Sequence, residues 1–203
     1  MNTRTSTIAR TRKMAMLAML SAIIIVLQVA CTFIKFGPFS ITLALTPIIV
    51  GAAIYGIGAG TFLGFIFGAV VYITGLMGWD GGFINMMMEY NAIATTLICF
   101  VKGIAAGAGA GLVYKLFVKR SKMAAAIASG IAAPIINTGL FAIASLTIFY
   151  GFASGFAAEA GKSTFSFVIL GWIGANFIVE FISNVALGSV ITRVGDYYNK
   201  KLK

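Results

Sequence analysis

Trp172, Asn176, Glu180 and Asn184 recur every four residues inside the apolar stretch from Phe165 to Thr192. On a helix this spacing places them on one face, a polar stripe with an aromatic residue at its head. A carboxylate there can accept hydrogen bonds, neutralise a cation or bind a polar molecule. It has no cheap reason to sit at bilayer depth, where the costliest charged residues lose about 2.5–3.5 kcal/mol even on lenient insertion scales. Such a group faces protein or a water-filled cavity, and its polar neighbours mark that side of the helix. Two further polar residues fall within apolar segments, Lys102 and Asn137. Lys102 and Glu180 both lie near mid-span, and an ion pair between them, bridged by Asn137, would relieve both costs. Two roles are open to the pair: a staple between two helices, or the lining of a ligand cavity.

Other chemistries are missing from the sequence. There is no histidine, which removes imidazole relays and the commonest metal ligand. Gly161-Lys162-Ser163 is not preceded by glycine at the Walker A spacing, position 156 being Phe, so the chain is not expected to hydrolyse ATP. No nucleophile elbow and no Cys/Asp/Glu cluster with metal spacing occurs. An enzyme, a resident cofactor and a metal site are therefore not expected. Cys31 and Cys99 lie in or at the ends of apolar runs and read as small buried hydrophobes.

The elements that must position these residues are apolar. Of 203 residues, 60% are hydrophobic and only 10% charged, too few charges for the surface of a soluble domain of this length. Six segments approach the roughly 20 residues needed to cross a bilayer: 14–34, 41–57, 59–77, 91–116, 124–150 and 165–193. The first is too long for a signal-peptide core and reads as an uncleaved span. A glycine cluster, Gly56 to Gly60, offers a turn between the second and third. The expected fold is an all-α integral membrane protein, one six-helix transmembrane domain over residues 1–203.

The charges agree with six spans. Arg4, Arg10, Arg12 and Lys13 precede the first, Lys115, Lys119, Arg120 and Lys122 join the fourth to the fifth, and Arg193, Lys200, Lys201 and Lys203 follow the sixth. Twelve of the 15 basic residues thus share one face, which places both termini in the cytoplasm. The opposite face has only Lys35 and Lys162. Its loops add Trp79, Asp80, Asn85, Glu89, Tyr90 and Asn91 as site candidates beside Lys35 and Phe36. Gly78 to Gly82 and Tyr150 to Ser163 read as loops able to act as lids. Gly56, Gly60, Gly64 and Gly68, and likewise Gly103, Gly107 and Gly111, recur at intervals of four. Such ridges either pack helices within the bundle or dock a partner subunit.

Three stretches carry a family resemblance: Ala18 to Ala22 on the first helix, Phe36 to Ile41 leading into Pro47 to Gly51, and Tyr55 to Gly64. With six spans in about 200 residues behind a basic start, the chain resembles the substrate-binding S component of an energy-coupling factor (ECF) transporter. It departs from the Gly-Pro-Lys-x-Gly turn of many members, having Gly56-Ile57-Gly58-Ala59-Gly60 instead. The resemblance implies a multi-pass protein of a prokaryotic cell membrane that captures a vitamin or related micronutrient at its outer face. Outer loops and the outer halves of helices four to six would bind it. A transmembrane coupling subunit, contacted by Ala18 and Ala22, and two cytoplasmic ATPases would be its partners. Lys102 would suit a carboxylate-bearing ligand such as pantothenate unless Glu180 claims it, while Trp172 or Tyr90 would suit riboflavin-like stacking. The competing class is a stand-alone small-solute carrier or a membrane assembly scaffold.

Overall fold

A computed structural model of the chain describes residues 2–36, 39–40 and 42–186, nearly all of them helical. Helix α1 (Asn2–Thr32) leads to a short antiparallel pair, β1 (Lys35–Phe36) and β2 (Phe39–Ser40). Then come α2 (Leu45–Tyr55), α3 (Ile57–Leu76), α4 (Phe83–Phe117), α5 (Lys122–Leu146) and α6 (Tyr150–Glu159). Helix α7 (Thr164–Ser166) runs through a π-helical stretch, Phe167–Ile173, into α8 (Gly174–Ala186). Helices α1, α3, α4 and α5 are long and apolar enough to cross a membrane. The segments Thr164–Ile173 and Asn176–Ala186, bent by 44°, make a fifth span if taken together.

Glycine decides the main interface. Helices α3 and α4 share the most extensive contact, because their two ridges meet backbone to backbone. A Cβ built on Gly60 would strike the Gly107 carbonyl, one on Gly64 the Gly103 carbonyl, and one on Gly68 would lie 2.6 Å from the Cys99 carbonyl oxygen. Both ridges are therefore consumed inside the bundle, which answers the choice between packing and docking. The turn before α3 is equally economical. Gly56 alone, at φ +84°, separates α2 from α3, a conformation in which glycine has no Cβ penalty.

Several sequence expectations change. The second segment, expected over 41–57, is helical for only 11 residues. At 1.5 Å per residue that is about 16 Å, roughly half the hydrocarbon thickness. It is buried along nearly its whole length and touches α1, α3, α4, α5 and α8, so it behaves as a core helix. The fourth segment, expected from residue 91, begins at Phe83, which puts Asn85, Glu89 and Tyr90 on a helix rather than in a loop. Asn91 itself interrupts α4 with φ −158° and ψ 95°. Its side-chain Oδ1 accepts from the Ala94 N–H at 3.0 Å and so caps the longer half. The fifth segment ends at Leu146 instead of 150, and the expected loop Tyr150 to Ser163 is largely the helix α6.

Lys13 lies 5.7 Å from the Tyr55 ring centre, and Gly111 packs on Ile57. The basic start of α1 and the basic α4–α5 joint therefore meet at one end of the bundle, beside the α2–α3 turn. At the other end Phe33, just past α1, packs against Trp79 in the α3–α4 turn, with ring centres 5.7 Å apart. The third basic cluster, Arg193 to Lys203, lies outside the described residues, as does the last part of the sixth expected segment.

Candidate functional site

The half of the bundle away from the basic end holds a cavity of about 110 Å³. A single water needs on the order of 10–15 Å³ of such space, so a small organic molecule fits. Helix α1 contributes Gln28 and Thr32, one turn apart, and Thr42 enters from the segment before α2. Helix α4 presents Met87, Cys99 and Lys102, and α5 presents Asn137, Thr138 and Phe141. Trp172, Asn176 and Glu180 close the wall from the last bent span.

Glu180 is fully buried, and its two carboxylate oxygens are divided between two helices. Thr138 Oγ1 donates to Oε2 at 3.1 Å, and Asn176 Nδ2 donates to Oε1 at 3.2 Å. Thr42 also hydrogen-bonds the carboxylate. One turn on, Asn184 Nδ2 donates to the Glu180 backbone carbonyl at 2.7 Å, and Thr46 Oγ1 donates to Asn184 Oδ1 at 2.9 Å. Asn184 is thus a packing residue beneath the cavity, wedged where Gly130 lets the backbones approach.

Lys102 is not Glu180's partner. Among the described residues no ion pair joins the two. The ammonium instead lies 5.6 Å from the centre of the Phe141 ring and 6.0 Å from that of Phe67, within the reach of a cation–π contact. Asn137 does not bridge the two charges either, because its Oδ1 has no hydrogen-bond partner among the described residues. Gln28 Oε1 and Asn176 Oδ1 are likewise buried without a partner there. Each unmet acceptor costs on the order of 1–3 kcal/mol. Three of them line one cavity beside an ammonium that makes no ion pair with Glu180.

At the far end the cavity is closed by aromatic rings. Trp172, only 4% exposed, meets Phe83 edge to face at 5.2 Å and packs against Phe152, Phe156 and Phe167. Two of these rings come from α6, the segment expected to be a loop. Nearby Asp80 caps α4, accepting from the N–H groups of Gly82 at 3.0 Å and Ile84 at 2.8 Å. Gly78, Gly81 and Gly82 take positive φ, so the α3–α4 connection is a short hydrogen-bonded turn.

Residues 12–199 match the family model described as ECF transporter, substrate-specific component. The chain belongs to this family. It is accordingly a multi-pass membrane protein, an S component with a small-molecule substrate and an ECF coupling and ATPase module as its partner. No curated protein and no solved structure matches it.

The S component brings together Trp172, Asn176, Glu180, Asn137 and Lys102 around its cavity, with Asp80 of the α3–α4 turn also on the wall. Asn85, Glu89 and Asn91 do not line it. Tyr90 is half exposed and leans on Phe149 and Phe152, with its hydroxyl against Gly151. Trp79 is 40% exposed and holds Phe33. The Lys35 side chain lies outside the described residues. Ala18 and Ala22 are exposed on α1, clear of the bundle. Sequence reasoning missed Gln28, Thr32, Thr42 and Thr138. A glutamine inside the run from Met14 to Ile34 was a usable signal, being the only amide in that stretch.

Proposed function

We propose that this S component captures a vitamin or related micronutrient in the cavity between α1, α4, α5 and α8. Delivery then depends on a coupling subunit and two cytoplasmic ATPases, since the chain has no nucleotide-binding sequence of its own. The observation that carries the reading is the incomplete cavity wall: one ammonium and three buried amide oxygens in a space larger than a few waters. A purely structural polar cluster would satisfy its own groups.

The sidedness follows from charge. The described basic clusters gather at one end of the bundle and the cavity lies toward the other, so the positive-inside rule turns the cavity outward and the N-terminus inward. Six passes are part of the proposal, with α2 and its irregular approach crossing as a short inner span sheltered by its neighbours. Helix α6 and its aromatic rings form the cover over Trp172. Ala18 and Ala22 form a smooth exposed ridge on α1 for the coupling subunit, in what we take to be the cell membrane of a prokaryote.

The test is affinity purification of the tagged chain from its own membranes, followed by protein identification. Recovery of one membrane coupling protein with two ATPases supports the reading. Recovery of the chain alone, under conditions that hold other membrane complexes together, would favour a solitary carrier or a scaffold.

A further inference from the structure

Resting on the reading of the cavity as a solute site, we infer its ligand class: a small organic monocarboxylate that also carries several hydroxyl or amide N–H donors. The groups on the wall dictate the complement. Lys102 offers three donors and no acceptor. It lies over two phenyl rings and within electrostatic reach of Glu180, but no ion pair joins it to that carboxylate, whose oxygens are engaged by Thr138 and Asn176. An ammonium that faces a cavity without an ion pair calls for an anionic oxygen. With Glu180 and Asp80 also on the wall, a second negative charge on the ligand would be repelled, which favours a carboxylate over a doubly charged phosphate.

Glu180 does not call for a ligand cation in turn. Thr138 and Asn176 each occupy one of its oxygens. That same bond fixes the Asn176 amide, since the N–H side faces Glu180 and the carbonyl must face away. Asn176 Oδ1, Asn137 Oδ1 and Gln28 Oε1 then remain as acceptors, and only O–H or N–H groups of a ligand or water can satisfy them. Gln28 and Asn137 are 5% and 4% exposed, so these are built positions and not surface amides. Phe141 and Ile173, also on the wall, leave room for a short apolar segment between the two kinds of polar group.

The experiment is ligand-induced thermal stabilisation and calorimetric titration of the full chain in lipid nanodiscs. The probes are matched pairs: pantothenate against pantothenol, nicotinate against nicotinamide, and biotin against its primary amide, with riboflavin and thiamine as uncharged and cationic members. At least one carboxylate is expected to bind, its neutral twin to bind about tenfold or more weakly, and Lys102→Met to erase that difference. Lys102→Arg should restore part of it. Asn137→Leu separates a ligand contact from a structural one, because removing an orphan acceptor should leave the ligand-free protein as stable or more stable while weakening the carboxylate. Binding confined to neutral or cationic probes, or Lys102→Met binding the carboxylate as tightly as wild type, overturns the inference and leaves the solute site standing. Silence of the whole panel in a folded protein that also recovers no ATPases overturns the solute-site reading beneath it.

Discussion

Thr138 Oγ1 donates a 3.1 Å hydrogen bond to Glu180 Oε2, joining α5 to α8 at the wall of the cavity. The bond helps explain how a carboxylate can be fully buried without an ion pair: its oxygens are engaged by hydroxyl and amide donors. Thr138→Val should cost about 0.5–1.5 kcal/mol. Glu180→Ala should cost more, because it strands the Thr138 and Asn176 donors together, at about 1–3 kcal/mol for each buried group left unmet. Thermal unfolding in a fixed detergent, with the double variant closing the cycle, measures the coupling; strictly additive losses would show that the contact has no energetic role.

The α3–α4 interface makes a sharper stability prediction. Gly64→Leu places a side chain where the Gly103 carbonyl already sits, and overpacking of this kind costs about 1–3 kcal/mol or separates the helices altogether. Gly139→Ala, on α5 with nothing within 4 Å of the added carbon, should be neutral or stabilise by up to about 1 kcal/mol. Yield and melting temperature of the two variants, taken side by side, decide it. Equal effects would mean that the glycine ridges do not meet as described.

These ridges were readable in the sequence, and their partner was not. A four-residue spacing marks a face that tolerates close approach, but only the tertiary arrangement shows that one ridge answers the other. The basic clusters were legible for a related reason, since charge is local and independent of packing. The extent of α2 was not legible. Hydropathy reports how apolar a stretch is, and residues 42–44 are apolar or small without being helical. The helix α6 was hidden by its Gly, Ala and Ser content, which reads as loop until Phe152 and Phe156 find Trp172. The stripe on the last span was plain from its period, whereas Gln28 and Thr138 became site residues only when three helices converged.

Asp80 gives a local prediction about the turn that closes the cavity. Its two oxygens each accept from one N–H at the start of α4, those of Gly82 and Ile84, so Asp80→Ala should lose about 0.5–2 kcal/mol and Asp80→Asn, with one acceptor oxygen, an intermediate part of that. Melting temperatures of the two variants distinguish a cap from a group needed for its charge. If both fall equally, a single amide oxygen does not hold the turn and the full carboxylate is needed.

The exposed ridge on α1 should separate assembly from binding. Ala18→Trp and Ala22→Trp leave the cavity untouched and roughen the surface offered to the coupling subunit. Recovery of the ATPases with the tagged chain should fall severalfold, while ligand affinity of the isolated protein stays at the wild-type value. Unchanged recovery in both variants would move the docking surface elsewhere on the bundle.

Native mass spectrometry of the chain, purified from its own membranes without added ligand, tests most directly whether the cavity is a solute site. The expected spectrum contains the protein with one bound small molecule, and Asn176→Leu, which removes an orphan acceptor and a donor to Glu180, should lose most of that added mass. A bare protein mass throughout, or an adduct that Asn176→Leu retains in full, would contradict the cavity as the site of capture.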